Sequence, residues 1–119
     1  MPEEPLKPIV PTKHKTPKAV AKALLKLYRD PRRHAQHAYL RGRSGRSVCQ
    51  KSSAVSCCMI GGIGLFMHPR PDADQEAVLA AFDAAAKKLF NPKRDIVYVN
   101  DNLGLEAVRK VLQEVIKGS

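Results

Sequence analysis

The stretch from Ala54 to Phe66 constrains this chain more than any other segment. Ser56 is its one polar side chain, and the remainder are Ala54, Val55, Cys57, Cys58, Met59, Ile60, Gly61, Gly62, Ile63, Gly64, Leu65 and Phe66. A segment that is apolar on every face has to be covered on every face, so the rest of the chain must be laid around it. It is shorter than the roughly 20 apolar residues needed to cross a bilayer, and no other run comes closer. The pattern predicts a buried central helix over 54–66, capped by Ser52 or Ser53. Within a helix, Gly61, Gly62 and Gly64 each cost up to about 1 kcal/mol relative to alanine, which implies that another element approaches closely there. The Gly-Gly-Ile-Gly sequence lacks the lysine and the preceding strand of a phosphate-binding loop.

The covering elements can be read from caps and periodicity. Thr16-Pro17 opens a helix running to about Arg29, with Val20, Ala23, Leu24 and Leu27 on one side. Asp30-Pro31 ends it, and Arg32–Leu40 reads as a short helix or strand. Asp72 or Asp74 caps a helix over about Gln75–Phe90, whose core face is Val78, Leu79, Phe82, Ala85, Ala86 and Leu89. A last helix spans about Gly104–Lys117. Ile96-Val97-Tyr98-Val99 is β-branched and short, and is expected to be a strand pairing near Tyr39–Leu40 or Val48–Cys49. The predicted fold is mainly α: a single compact domain over residues 17–117, with four to five helices around the central one and one or two short strands. Residues 1–16 form an extended arm rich in proline and lysine, in which Pro2, Pro5, Pro8 and Pro11 recur every third position, a spacing suited to polyproline II.

Charge divides the chain. Residues 1–46 hold 12 Lys/Arg against 3 Asp/Glu, whereas residues 47–119 hold 9 against 8, within a formal net charge of +10. Like charges repel in a compact state, so a cationic half of this density points to an acidic or polyanionic partner. On the first helix Lys18, Lys22, Lys26 and Arg29 fall within about 80° of one another, opposite its apolar side. Arg32 and Arg33 follow. Arg41-Gly42-Arg43-Ser44-Gly45-Arg46 is a flexible basic loop whose arginines suit phosphate or carboxylate. These nine cations are the expected contact residues, for nucleic acid first and for an acidic protein surface as the alternative. The arm is an expected wrap for a partner or for a second copy of the chain. Aromatic residues are sparse here, Tyr28 and Tyr39 only, so stacking on unpaired bases is weakly supported.

Chemistry has fewer handles. His34 and His37 have metal-chelating spacing, with Cys49, Cys57, Cys58 or His68 as further donors, but their neighbours are arginines and no acid is near, so neither a metal nor a cofactor is expected. A cysteine-dependent enzyme is the second alternative: Cys57 or Cys58 as nucleophile, His68 or His37 as base, and Asn100 or Asp101 as orienter. The expected protein is nevertheless non-catalytic. Cysteine on an apolar helix is usually a small buried hydrophobe, and Asn100-Asp101 suits a turn. The proline-rich acidic start and the absence of a signal sequence predict a cytoplasmic, non-membrane protein with reduced thiols.

Two short motifs add a resemblance. Cys58-Met59-Ile60-Gly61-Gly62, followed by an alanine-rich helix and then Val99-Asn100-Asp101-Asn102-Leu103-Gly104, resembles a small bacterial and phage domain family of unknown function. Its members carry a Cys-x-x-Gly-Ala helix and a Trp-Asn-Asp-x-x-Gly turn. Here Val99 stands for the tryptophan and Gly62 for the alanine. The resemblance covers about residues 17–117 and implies a helical fold of phage or mobile-element origin, without a function.

Overall fold

The computed structural model describes residues 5–48, 51–69 and 72–118. The first helix, α1 (Pro17–Leu27), starts where the Thr16 hydroxyl accepts the Ala19 amide at 3.1 Å and Pro17 occupies a position that needs no N–H. It ends at Leu27, two residues short of the expected Arg29, with Tyr28 as C-cap. Val20, Ala21 and Leu24 are buried, chiefly against α5 (Leu105–Gly118), whose own buried face is Ala107, Val108, Val111, Leu112 and Val115. Gly104, at φ 86°, takes the left-handed conformation that turns the chain into α5. The third large helix, α3 (Asp72–Leu89), buries Val78, Phe82, Ala85 and Ala86 and leaves Leu89 exposed. Among the described residues, five helices and one two-stranded antiparallel sheet make a mainly α fold. Among the described residues no helix is long and apolar enough to cross a membrane.

The central apolar segment is not one helix. Ser56–Cys57 is a strand, β2, paired with β1 (Leu40–Arg41) in the register Leu40 to Cys57 and Arg41 to Ser56. Only Met59–Phe66 is helical, α2, with Cys58 as its N-cap. Valine, serine and cysteine at 55–58 are indifferent helix formers, and their backbone groups go elsewhere: Val55 N–H to the Arg41 carbonyl, Cys58 N–H to the Tyr39 carbonyl. The segment is central all the same, since Ala54, Val55, Cys57, Met59, Ile63, Leu65 and Phe66 are all in the core.

Two glycines of α2 explain how it fits. A methyl on Gly61 would overlap the Tyr39 carbonyl, and one on Gly62 would overlap the Leu24 side chain of α1. Gly64 has ordinary room, so the close approach inferred for all three holds for two.

Ile96–Val99 is not a strand. Ile96–Tyr98 is a single helical turn, α4, continued by a π-turn over Val99–Leu103. Asp95 caps it by accepting the Tyr98 amide at 3.0 Å, and Asp83 of α3 accepts the Ile96 amide at 2.9 Å. Ile96 and Val99 are buried whereas Val97 and Tyr98 are exposed, a spacing of three that a helix makes and a strand does not. The expected pairing with Tyr39–Leu40 is replaced by β1 with β2, and Cys49 lies outside the described residues. Arg32–Leu40 is not one regular element: a 3₁₀ turn over Pro31–Arg33 leads into irregular chain, and the strand β1 begins only at Leu40.

Residues 5–16 run extended along the globule. The Ile9 amide donates to the Ala54 carbonyl, Thr12 to Leu65 and His14 to Phe66, while His68 N–H returns to the Thr12 carbonyl. Ile9 is 6% exposed and belongs to the core.

Candidate functional site

The nine expected contact residues divide by what their side chains do. Lys22, Lys26, Arg29 and Arg46 are exposed, and Lys18 is half-buried. Arg32 forms a fork with Asp30 (Nη2 to Oδ2 2.8 Å), which offsets its charge, and the hydrogen bonds from Arg32 hold the Asp30 carboxyl below its ordinary value. Three arginines donate to backbone carbonyls. Arg33 Nη1 reaches the carbonyls of Lys7 and Val55. Arg41 reaches Gly45 and Gln36, both at 2.8 Å, and Arg43 Nε reaches Leu6 at 3.2 Å. These groups keep their charge, but part of each guanidinium fork is already occupied.

Those bonds have a positional effect that the sequence did not reveal. Arg33 and Arg43 tie the 31–33 turn and the 42–46 loop to the arm at Leu6 and Lys7. The arm in turn forms a groove with α1, about 800 Å³ in volume. Lys22, Lys26, His14 and Arg33 border this groove, and Ile9, Ala23, Leu27 and Phe66 give it an apolar floor.

A second site lies where the two short motifs meet. Asn100, 2% exposed, is the hub. Its Oδ1 accepts the Met59 amide at 3.3 Å and its Nδ2 donates to the Ala35 carbonyl at 2.9 Å, which fixes the orientation of the amide. His34 Nε2, 2.9 Å from the same Oδ1, is therefore the donor in that contact. The His34 ring packs edge-on against Tyr28, with centroids 5.3 Å apart. Asn100 Nδ2 also donates to Asp101 Oδ1 at 3.0 Å, and that oxygen accepts the His37 amide at 2.8 Å. His37 sits at φ 61°, a conformation unfavourable for a residue with a Cβ, and the Asp101 bond holds it there. Burial alone would raise the Asp101 carboxyl, but the hydrogen bonds from His37 and Asn100 and the two nearby imidazoles hold it below its ordinary value.

Around this network is a cleft of about 630 Å³. Cys58, His37, Asn100 and Asp101 all line it, so the fold brings together four of the residues considered for cysteine chemistry. The thiols are not activated. Burial pushes Cys57 up to about 12 and also raises Cys58, against the lowering effect of the Gly61 and Ile60 amides at the start of α2. Cys57 contacts the Tyr28 hydroxyl, whose proton goes to the Cys57 carbonyl at 2.8 Å; that hydroxyl, fully buried, is itself raised well above its ordinary value. Among the described residues no imidazole hydrogen-bonds either thiol. His68 is elsewhere, 3.1 Å from Lys51 Nζ. No group of three or more metal-ligating side chains is assembled among the described residues. The hub role of Asn100 could have been suspected from an asparagine set directly after a buried valine, although a turn explains the same pair.

Comparison of the chain with family models, with curated proteins and with solved structures finds no match.

Proposed function

We propose that this chain is a non-catalytic binding protein that engages nucleic acid through the cationic surface of residues 18–46, of phage or mobile-element origin as its two motifs imply. The observation that carries the reading is the convergence of the basic segments. The carbonyl bonds of Arg33 and Arg43 join the turn, the loop and the arm beside the Lys22 and Lys26 side of α1. A connected positive face gives affinity for a phosphate backbone by releasing its counterions, without reading sequence. Lys22, Lys26, Arg29 and Arg46, all exposed, and the half-buried Lys18 act as the direct contacts. Arg33, Arg41 and Arg43 contribute charge from fixed positions, and Arg32 contributes least because Asp30 offsets it.

Fluorescence anisotropy with labelled duplex DNA, single-stranded DNA and RNA over a range of salt concentrations tests this. Binding is expected to weaken linearly in log salt, and removing Lys22 and Lys26 together should lower that slope by roughly 2 whatever the base sequence. Absence of binding to all three at about 0.15 M salt, where exposed charges are screened beyond roughly 8 Å, would overturn it.

The groove favours one other reading. A phosphate backbone has no use for an apolar floor, whereas an acidic amphipathic segment of a protein partner would fill Ile9, Ala23, Leu27 and Phe66 and meet the lysines at the rim. In that case one or two groove residues, rather than all cations equally, should dominate an alanine scan.

A further inference from the structure

The cleft beside Asn100 is independent of the basic face, and its chemistry is of the opposite sign. Among the described residues no Lys or Arg lines this cleft. Asp101, the carboxylate lining it among the described residues, has the His37 and His34 imidazoles and the Cys58 thiol as titratable neighbours. Asp101 Oδ1 accepts two hydrogen bonds, but Oδ2 has only the His37 Nδ1 contact at 3.6 Å, beyond hydrogen-bond length. That oxygen keeps its acceptor capacity on a side chain that is 19% exposed. The Asn100 network and the His37 amide fix the carboxylate from behind, the preorganisation that a recognition site needs. Tyr39, 65% exposed, also lines the cleft, and Leu40, Met59, Ile60 and Ile96 make its walls apolar. Its volume lies in the range of small-molecule sites.

We propose that this cleft binds a small organic cation, a primary ammonium carried on an apolar or aromatic body. Asp101 Oδ2 and the Tyr39 ring receive the ammonium, and Leu40, Met59, Ile60 and Ile96 enclose the body. An ammonium supplies the donors that Oδ2 lacks, and a tyrosine face attracts a cation electrostatically. Cys58, protonated in the wall, is a neutral neighbour and takes no part in chemistry.

The test is amide NMR of the full chain titrated with phenethylamine and, as the uncharged counterpart, N-acetylphenethylamine. Saturable shifts confined to residues 37–40, 58–60 and 96–101 are expected, with the acetylated compound at least about tenfold weaker. Asp101→Asn should remove the preference for the amine. That variant also alters the support of His37, so Val97→Trp serves as the second: Val97 is an exposed cleft residue, and a larger side chain there should block the site with the fold retained. Shifts scattered over the surface, equal binding of the two compounds, or unchanged binding to Val97→Trp would each overturn the proposal.

Discussion

Asn100 Oδ1 lies 3.3 Å from the Met59 amide and so satisfies the first turn of α2 from a position 41 residues further along the chain. That bond joins the segment after α4 to the start of the central helix. The same side chain also holds Ala35 and His34, so one buried amide fixes three separate stretches.

Replacing Asn100 with alanine should therefore be costly. It leaves the Met59 N–H, the Ala35 carbonyl and the His34 ring without the partner that a side chain only 2% exposed now supplies, at an expected total of about 3 kcal/mol. Asn100→Asp should do no better, because a carboxylate cannot donate to the Ala35 carbonyl. Urea unfolding of the three proteins checks this: a loss below about 1 kcal/mol for alanine would mean that water takes over these bonds.

The three glycines of α2 should respond differently to the same change. Alanine at Gly61 meets the Tyr39 backbone, with the carbonyl carbon at 2.8 Å, and backbone held by β1 cannot step aside; a loss of about 3 kcal/mol or more is expected. At Gly62 the obstacle is the end of Leu24, with Cys57 Sγ at 3.3 Å, and repacking should limit the loss to about 1–3 kcal/mol. At Gly64 the nearest atoms are 3.9 and 4.0 Å away, so alanine should stabilise by roughly 0.5–1 kcal/mol through helix propensity. Thermal midpoints of the three variants test the order.

Where a local signal decided the structure, the sequence could be read. Thr16-Pro17 starts α1 and Gly104 precedes α5, because capping depends on residues within a turn of the helix end. Where backbone partners came from a distance, it could not. Val55–Cys58 pairs with residues near 40, and a composition that suited a buried helix suited a buried strand equally well. Ile96–Val99 had β-branched content, but the Asp95 cap and the Asp83 bond made it a helical turn. For the candidate sites, the position of the charge was legible from lysine and arginine spacing. That Arg33, Arg41 and Arg43 would grip carbonyls was not, since it depends on where the arm runs.

His34 should make stability fall in mildly acidic solution. Burial holds its imidazole below the ordinary 6.5, although the Asn100 bond and Asp101 favour the charged form. As pH drops through 6.5 the unfolded chain takes up a proton that the folded chain resists, so the unfolded state gains, and the loss continues down to the folded value. The lowered Asp101 carboxyl acts in a separate window: its contribution is full above 3.8 and is lost as pH falls through its folded value. Urea midpoints measured between pH 7 and pH 5 should fall for the parent and fall less for His34→Gln. An equal decline in both would assign the effect to another group.

The cysteines give the sharpest separation between a binding protein and a thiol enzyme. With Cys57 held at about 12, on the order of one thiol in ten thousand is ionised at pH 8, and Cys58 is shifted in the same direction. In a Cys49→Ser variant, which removes the one cysteine outside the described residues, Ellman's reagent should show no fast phase in native buffer. Both thiols should react at once in concentrated guanidinium. The same shift fixes a sign at high pH: above about 9 the unfolded thiols ionise and the folded ones do not, so stability should decline as pH rises. A rapid, stoichiometric native reaction at Cys58 would mean that the amides at the start of α2 outweigh its burial, and a nucleophile in the Asn100 cleft would then replace the binding role assigned to that cleft.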